Sequence, residues 1–195
     1  MEVNDVVPAS EDAAFSDPLN RRIAITVALL ATFMGICKIK DDNICQSMQA
    51  AQANRVDHWA FYQARNIREE VAKSTLVQLR LTAAGRPPQE QAAYLEAEKT
   101  YQKLIDDQHS KKEETKNQAE QDQKDYDAAN FRDDQFDLSD ALLAISVSLM
   151  AVTSLTRQRW LYVGAMIPTG FGVLMGLSGL CGWPIHPSAL IALLS

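Results

Sequence analysis

Residues 138–181 read LSDALLAISVSLMAVTSLTRQRWLYVGAMIPTGFGVLMGLSGLC. Two apolar runs, 138–156 and 160–181, meet at the short turn TRQR. Each run is long enough as a helix to cross a hydrocarbon core about 30 Å thick, so the pair is expected to form a transmembrane helical hairpin. Trp160, Tyr162 and Trp183 stand where an interfacial aromatic belt would lie. A further apolar run lies upstream at 23–37, IAITVALLATFMGIC, between Arg21-Arg22 and Lys38 and Lys40. As a helix it rises only about 22 Å, so in the span assigned to 21–39 the flanking basic stems must reach for the interface. No small-residue cleavage site follows directly, and an uncleaved anchor is expected in preference to a signal peptide.

These three segments explain a misleading average. The chain of 195 residues is 47% hydrophobic and 23% charged, ordinary figures for a soluble protein, but its apolar residues are pooled. A single compact soluble core is excluded. The net charge of −6 is also uneven: 40–86 carries +2 and 87–140 carries −8, which favours the two halves lying side by side. No basic patch interleaved with aromatics exists, so nucleic acid is not an expected partner. Cys37, Cys45 and Cys181 show no CxxC spacing, and His58, His109 and His186 are far apart. No metal, cofactor or catalytic residue is therefore expected, and whether the cysteines pair is left open.

Between the first and second spans, 40–137 is free of proline and glycine except at Gly85-Arg86-Pro87-Pro88. Its long Ala-, Gln-, Glu-, Lys- and Arg-rich stretches predict two helices with a tip at 85–88, Gly85 ending the first and Pro88 opening the second. The expected fold is an all-α membrane protein: three transmembrane helices, with a long antiparallel, coiled-coil-like helical hairpin between the first and second. An irregular apolar stripe, Met48, Ala51, Val56, Trp59, Ala60, Ala64, Ile67, Val71, Leu76 and Leu79, is expected to hold the arms together. The weakest helical signal is 106–125, where Ala119 is the one apolar residue. An N-terminal arm (1–20) and an apolar C-terminal tail (182–195) flank this arrangement.

Small residues recur every three or four positions in the spans: Ala24, Ala28 and Gly35 in the first, Ala144 and Ser148 in the second, Gly164, Pro168, Gly172 and Gly176 in the third. Such faces let helix backbones approach closely, so they are expected to be packing surfaces. The short TRQR turn, with Arg21 and Arg22, places the N-terminus on the cytoplasmic side and the hairpin outside, in the periplasm of a bacterial inner membrane.

The segment 57–68, DHWAFYQARNIR, resembles the D-x-W-A-[FY]-[YF]-Q-A-[KR]-x-[IL]-[KR] signature of an uncharacterised bacterial membrane-protein family, domain of unknown function 4337. The resemblance extends over about 20–181 and implies three spans, an intervening helical region and a bacterial membrane, with no activity to carry over. On a helix, Arg55, Trp59, Phe61, Tyr62, Gln63 and Ile67 combine aromatic bulk with hydrogen-bonding groups, as a helix–helix or subunit contact requires, and Arg55 is placed to stack on Trp59. The expectation is a non-enzymatic, self-assembling scaffold whose partners are the lipid bilayer, further copies of itself and, in the alternative, other membrane-protein subunits. A channel gate or an accessory subunit of a larger complex is the competing reading.

Overall fold

The computed structural model describes residues 17–185, so most of the expected N-terminal arm and of the C-terminal tail lies outside the described residues. Three helices follow in order, α1 (Pro18–Ala83), α2 (Pro88–Thr156) and α3 (Arg159–Cys181), with no strand among the described residues. All three contain a stretch long and apolar enough to cross a membrane. Asp17 starts α1 by accepting the Leu19 N–H on Oδ1 at 3.0 Å, and Pro18 occupies the first-turn position where no amide is missed. The expected tip is observed: α1 stops at Ala83 and α2 opens at Pro88. Through 106–125 α2 is unbroken, held by pairs one turn apart such as Lys111–Asp107 at 2.8 Å and Gln121–Asp125 at 2.9 Å. The turn before α3 shrinks to Arg157 and Gln158, with Arg157 in the left-handed region at φ 55°.

The chain divides into two compact units. In the first, formed by the described residues up to 46 and from 129 onward, Ile23, Leu30, Leu143, Met150 and Ala165 make a core, with Phe33, Met34, Val147, Tyr162 and Val173 packed on it. The buried apolar positions of α1 here are Ile23, Leu30, Cys37 and Ile44, seven residues apart, a spacing that keeps one face on a neighbour, with Asp41 buried beside the last two. α3 approaches most closely at its glycines. A Cβ at Gly172 would stand 2.9 Å from the Leu143 side chain, one at Gly176 would stand 2.7 Å from the Phe33 ring, and one at Gly179 2.8 Å from Phe136. Several hydroxyls in this apolar unit are bonded internally: Ser139 Oγ donates to the Gly172 carbonyl at 2.8 Å, and Ser146 and Thr153 donate to their own helix, while buried oxygens of Asp41, Gln135 and Asp140 have no hydrogen-bond partner among the described residues. Gln135, fully buried, donates from Nε2 to Ser178 Oγ and to the carbonyls of Trp183 and Ile185. Those contacts, with Gly182 at φ 70°, fix the chain as it leaves α3.

The second unit, 47–128, is the hydrophilic helical hairpin. Its sheltered positions also recur at alternating steps of four and three: Ala51, Arg55, His58, Tyr62, Arg65, Glu69, Ala72 and Leu76 on α1, with Tyr101, Ile105, Gln108, Lys112, Thr115, Ala119, Asp122 and Tyr126 on α2. Near the tip the contact is apolar, Ala72, Leu76 and Ile105 with Tyr101 against them. Away from the tip the seam is mostly polar. This corrects the expected stripe, because Val56, Ile67 and Val71 lie on the exposed outer side of α1, with Trp59 exposed at its edge.

Candidate functional site

The family-signature segment presents two faces of one helix. On the inner face, Arg55 Nη1 donates to Gln123 Oε1, and its guanidinium carbon lies 6.0 Å from the centre of the Tyr126 ring. Tyr126, and not Trp59, is thus the ring beside Arg55; Trp59, one turn along α1, stands at the edge of the seam beside Ala119 and Gln123. His58 Nδ1 lies 2.6 Å from Asp122 Oδ2, a partner 64 residues away that no local spacing discloses. Trp59 and Tyr62 meet edge to face, with ring centres 5.4 Å apart and planes at 81°. Trp59, Phe61, Gln63 and Ile67 are exposed, whereas Arg55 and Tyr62 are half-buried, so the six residues are split between seam and surface.

One turn further on, Glu69 is the hub of the polar seam. Only 3% exposed, it receives Lys112 at 2.6 Å across the hairpin and Lys73 at 2.7 Å from its own helix, with His109 Nδ1 at 3.4 Å. Hydrogen bonds from Lys112 and Lys73 hold its carboxyl down at about 2. The Lys112 ammonium also reaches Asn66 Oδ1 at 3.3 Å. Such a pair joins the arms only with both members present, since one buried charge alone is costly.

Of the small residues expected to pack the spans, Gly172 and Gly176 make close contacts and Pro168 is half-buried. Among the described residues, Gly35 and Gly164 have nothing within 4 Å of a Cβ position, and Ala24, Ala28, Ala144 and Ser148 are exposed. The α1–α2 contact instead uses larger side chains from Ile23, Leu30, Leu143 and Met150, leaving those small faces pointing outward.

A third constellation stands where the first apolar run gives way to charge. Lys38 Nζ binds Asp41 Oδ2 at 2.7 Å and reaches Asp42 Oδ1 at 3.4 Å. Cys45 Sγ donates to Asp133 Oδ1 at 3.0 Å, which pushes its thiol up to about 11. Burial raises the carboxyls of Asp133 and Asp137 above the ordinary aspartate range, and the charge of nearby Asp41 raises both further. Asp41 and Cys45 sit one turn apart on α1, as Asp133 and Asp137 do on α2. Sequence reasoning that looked for Cys and His spacing passed over this group; paired i, i+4 ligand-type residues on two helices were the available signal. The cysteines form no disulfide: Cys37 is buried, Cys45 half-buried and Cys181 exposed.

The signature segment lies within a match to one family model. Domain of unknown function (DUF4337) covers residues 19–182. The chain belongs to that family. No curated protein and no solved structure matches it. The family match spans the candidate membrane segments and the hairpin alike.

Proposed function

We propose that this DUF4337 protein is a membrane-anchored scaffold of the bacterial cytoplasmic membrane that self-assembles through the outer face of its hairpin. The observation that carries the reading is a second seven-residue repeat on α1, turned away from the polar seam. Val56, Ala60, Gln63, Ile67, Glu70, Ser74, Val77 and Leu81 follow steps of four and three and are all exposed, Ile67 by 63% and Leu81 by 73%, with Trp59 and Val71 beside them. A hydrophilic hairpin has no need of such a stripe if it stands alone, because water penalises it. A repeat of this period suits coiled-coil contact with another helix. The occupant we assign is α1 of a second copy. Copies anchored with one topology in one bilayer present their hairpins in parallel, so each stripe meets its own counterpart in register, Ile67 against Ile67. The outward small faces of the first and second spans, Ala24 and Ala28 with Gly35, and Ala144 with Ser148, support close contacts between copies within the bilayer.

Light scattering of the protein in mild detergent tests the reading. A multimer is expected, and Ile67→Glu combined with Val77→Glu should reduce it to a single-chain mass with helical content unchanged; Trp59→Ala should weaken it less. A wild-type chain that is already monomeric, with helical arms, overturns the proposal.

A further inference from the structure

We propose that Asp41, Cys45 and Asp133 form a binding site for a divalent metal ion of the zinc class. A carboxylate oxygen of Asp41, the sulfur of Cys45 and a carboxylate oxygen of Asp133 all lie within 4.8 Å of one another. With Zn–O near 2.1 Å and Zn–S near 2.3 Å, ligand atoms around a tetrahedral zinc stand roughly 3.5 Å apart. Placing a metal there opens the 3.0 Å contact between Cys45 and Asp133 and draws in whichever ligand atoms stand further apart, none by more than the 4.8 Å limit allows. Both helices are continuous here, so the three side chains stand on a regular backbone frame.

A second observation points to a missing cation. Asp41 is only 4% exposed, and Lys38 occupies its Oδ2, but its buried Oδ1 has no hydrogen-bond partner among the described residues. Leaving a buried carboxylate oxygen without a donor costs free energy, more so beside another carboxyl. A metal ion at the centre of the three ligands supplies what the side chains lack. The donor set selects the ion: a thiolate with two carboxylates is too soft for magnesium or calcium, which take oxygen alone, and suits zinc or its spectroscopic substitute cobalt. Ligation replaces the Cys45 thiol proton, which leaves to solvent, while Lys38 keeps its bond to Asp41 Oδ2. Three protein ligands leave the fourth tetrahedral position to water.

The test is titration of the full-length, metal-stripped protein in detergent with Co²⁺, followed by absorption. Tetrahedral d–d bands with a sulfur-to-cobalt charge-transfer band are expected, and Zn²⁺ should remove both. Cys45→Ser should abolish the charge-transfer band, Cys181→Ser should keep it, and Asp133→Asn should weaken binding by about tenfold or more. Absence of cobalt binding, which would leave a proton shared between Asp41 and Asp133 as the occupant, overturns the site; so does a charge-transfer band that survives Cys45→Ser. If the variants fail to fold, wild-type alkylation decides: Zn²⁺ should shield Cys45 and leave Cys181 reactive, and unshielded Cys45 overturns the proposal.

Discussion

The apolar unit and the hydrophilic hairpin use the same spacing of buried positions with opposite chemistry. At Ile23, Leu30, Cys37 and Ile44 the sheltered face of α1 is apolar; at Arg55, His58, Arg65 and Glu69 it is charged or polar. In the apolar unit, whose helices are long and apolar enough to cross a membrane, shape decides the packing, and glycines let α3 press onto Phe33, Phe136 and Leu143. In the hydrophilic hairpin, charge pairs that tolerate no slip fix the register, and apart from Leu76 and Ile105 near the tip most large apolar side chains stay outside. Packing thus specifies one unit and electrostatics the other.

Three measurements would break or sharpen that contrast. The largest effect is expected in the apolar unit. Gly176→Ala places a Cβ 2.7 Å from the Phe33 ring and 2.8 Å from Ser139 Oγ, and should cost about 1–3 kcal/mol in detergent unfolding, whereas Gly164→Ala, with nothing within 4 Å, should be nearly silent. Equal responses would mean that close packing does not set this unit's stability. Next comes the hairpin hub: Glu69→Gln leaves Lys112 without its charge partner and should cost on the order of 1–3 kcal/mol, read as a lower thermal midpoint of the helical signal. Substituting Lys112→Met in the same chain should recover part of that loss, since both charges are then gone.

A smaller, graded effect is expected from acid. The Glu69 carboxyl is held at about 2, below its ordinary 4.5. A depressed carboxyl stabilises the folded state above its unfolded value and loses that contribution as pH falls. The thermal midpoint of the wild-type chain should therefore drop between pH 4.5 and 2, and the drop should shrink in Glu69→Gln. An identical acid profile in the two chains would remove Glu69 from the account.

Much of the fold was legible because its signals are local. Three apolar runs mark the candidate spans, the pair Pro87-Pro88 marks the tip, and the lack of other breakers carries α2 through 106–125. The hairpin seam was not legible, because a search for apolar stripes settles on Val56, Ile67 and Val71, the outer face. The true seam at Arg55, His58 and Glu69 declares itself only through Gln123, Asp122 and Lys112, residues on the other arm. The small-residue rule found Gly172 and Gly176 but also chose Gly35 and Gly164, since periodicity gives a face and not its neighbour. Asp41, Cys45 and Asp133 escaped for the same reason, 88 residues separating the cysteine from its carboxylate partner.

The two-residue link at Arg157 and Gln158 bears on how the chain is built. With no slack between Thr156 and Arg159, the end of α2 and the whole of α3 must fold back on each other together, as one piece. The apolar start of α1, by contrast, leaves the ribosome with the entire hydrophilic stretch still to be made. Its lasting neighbours, Leu143, Met150 and Ala165, are made only after that stretch, so the core closes once segments from both sides of the hairpin exist.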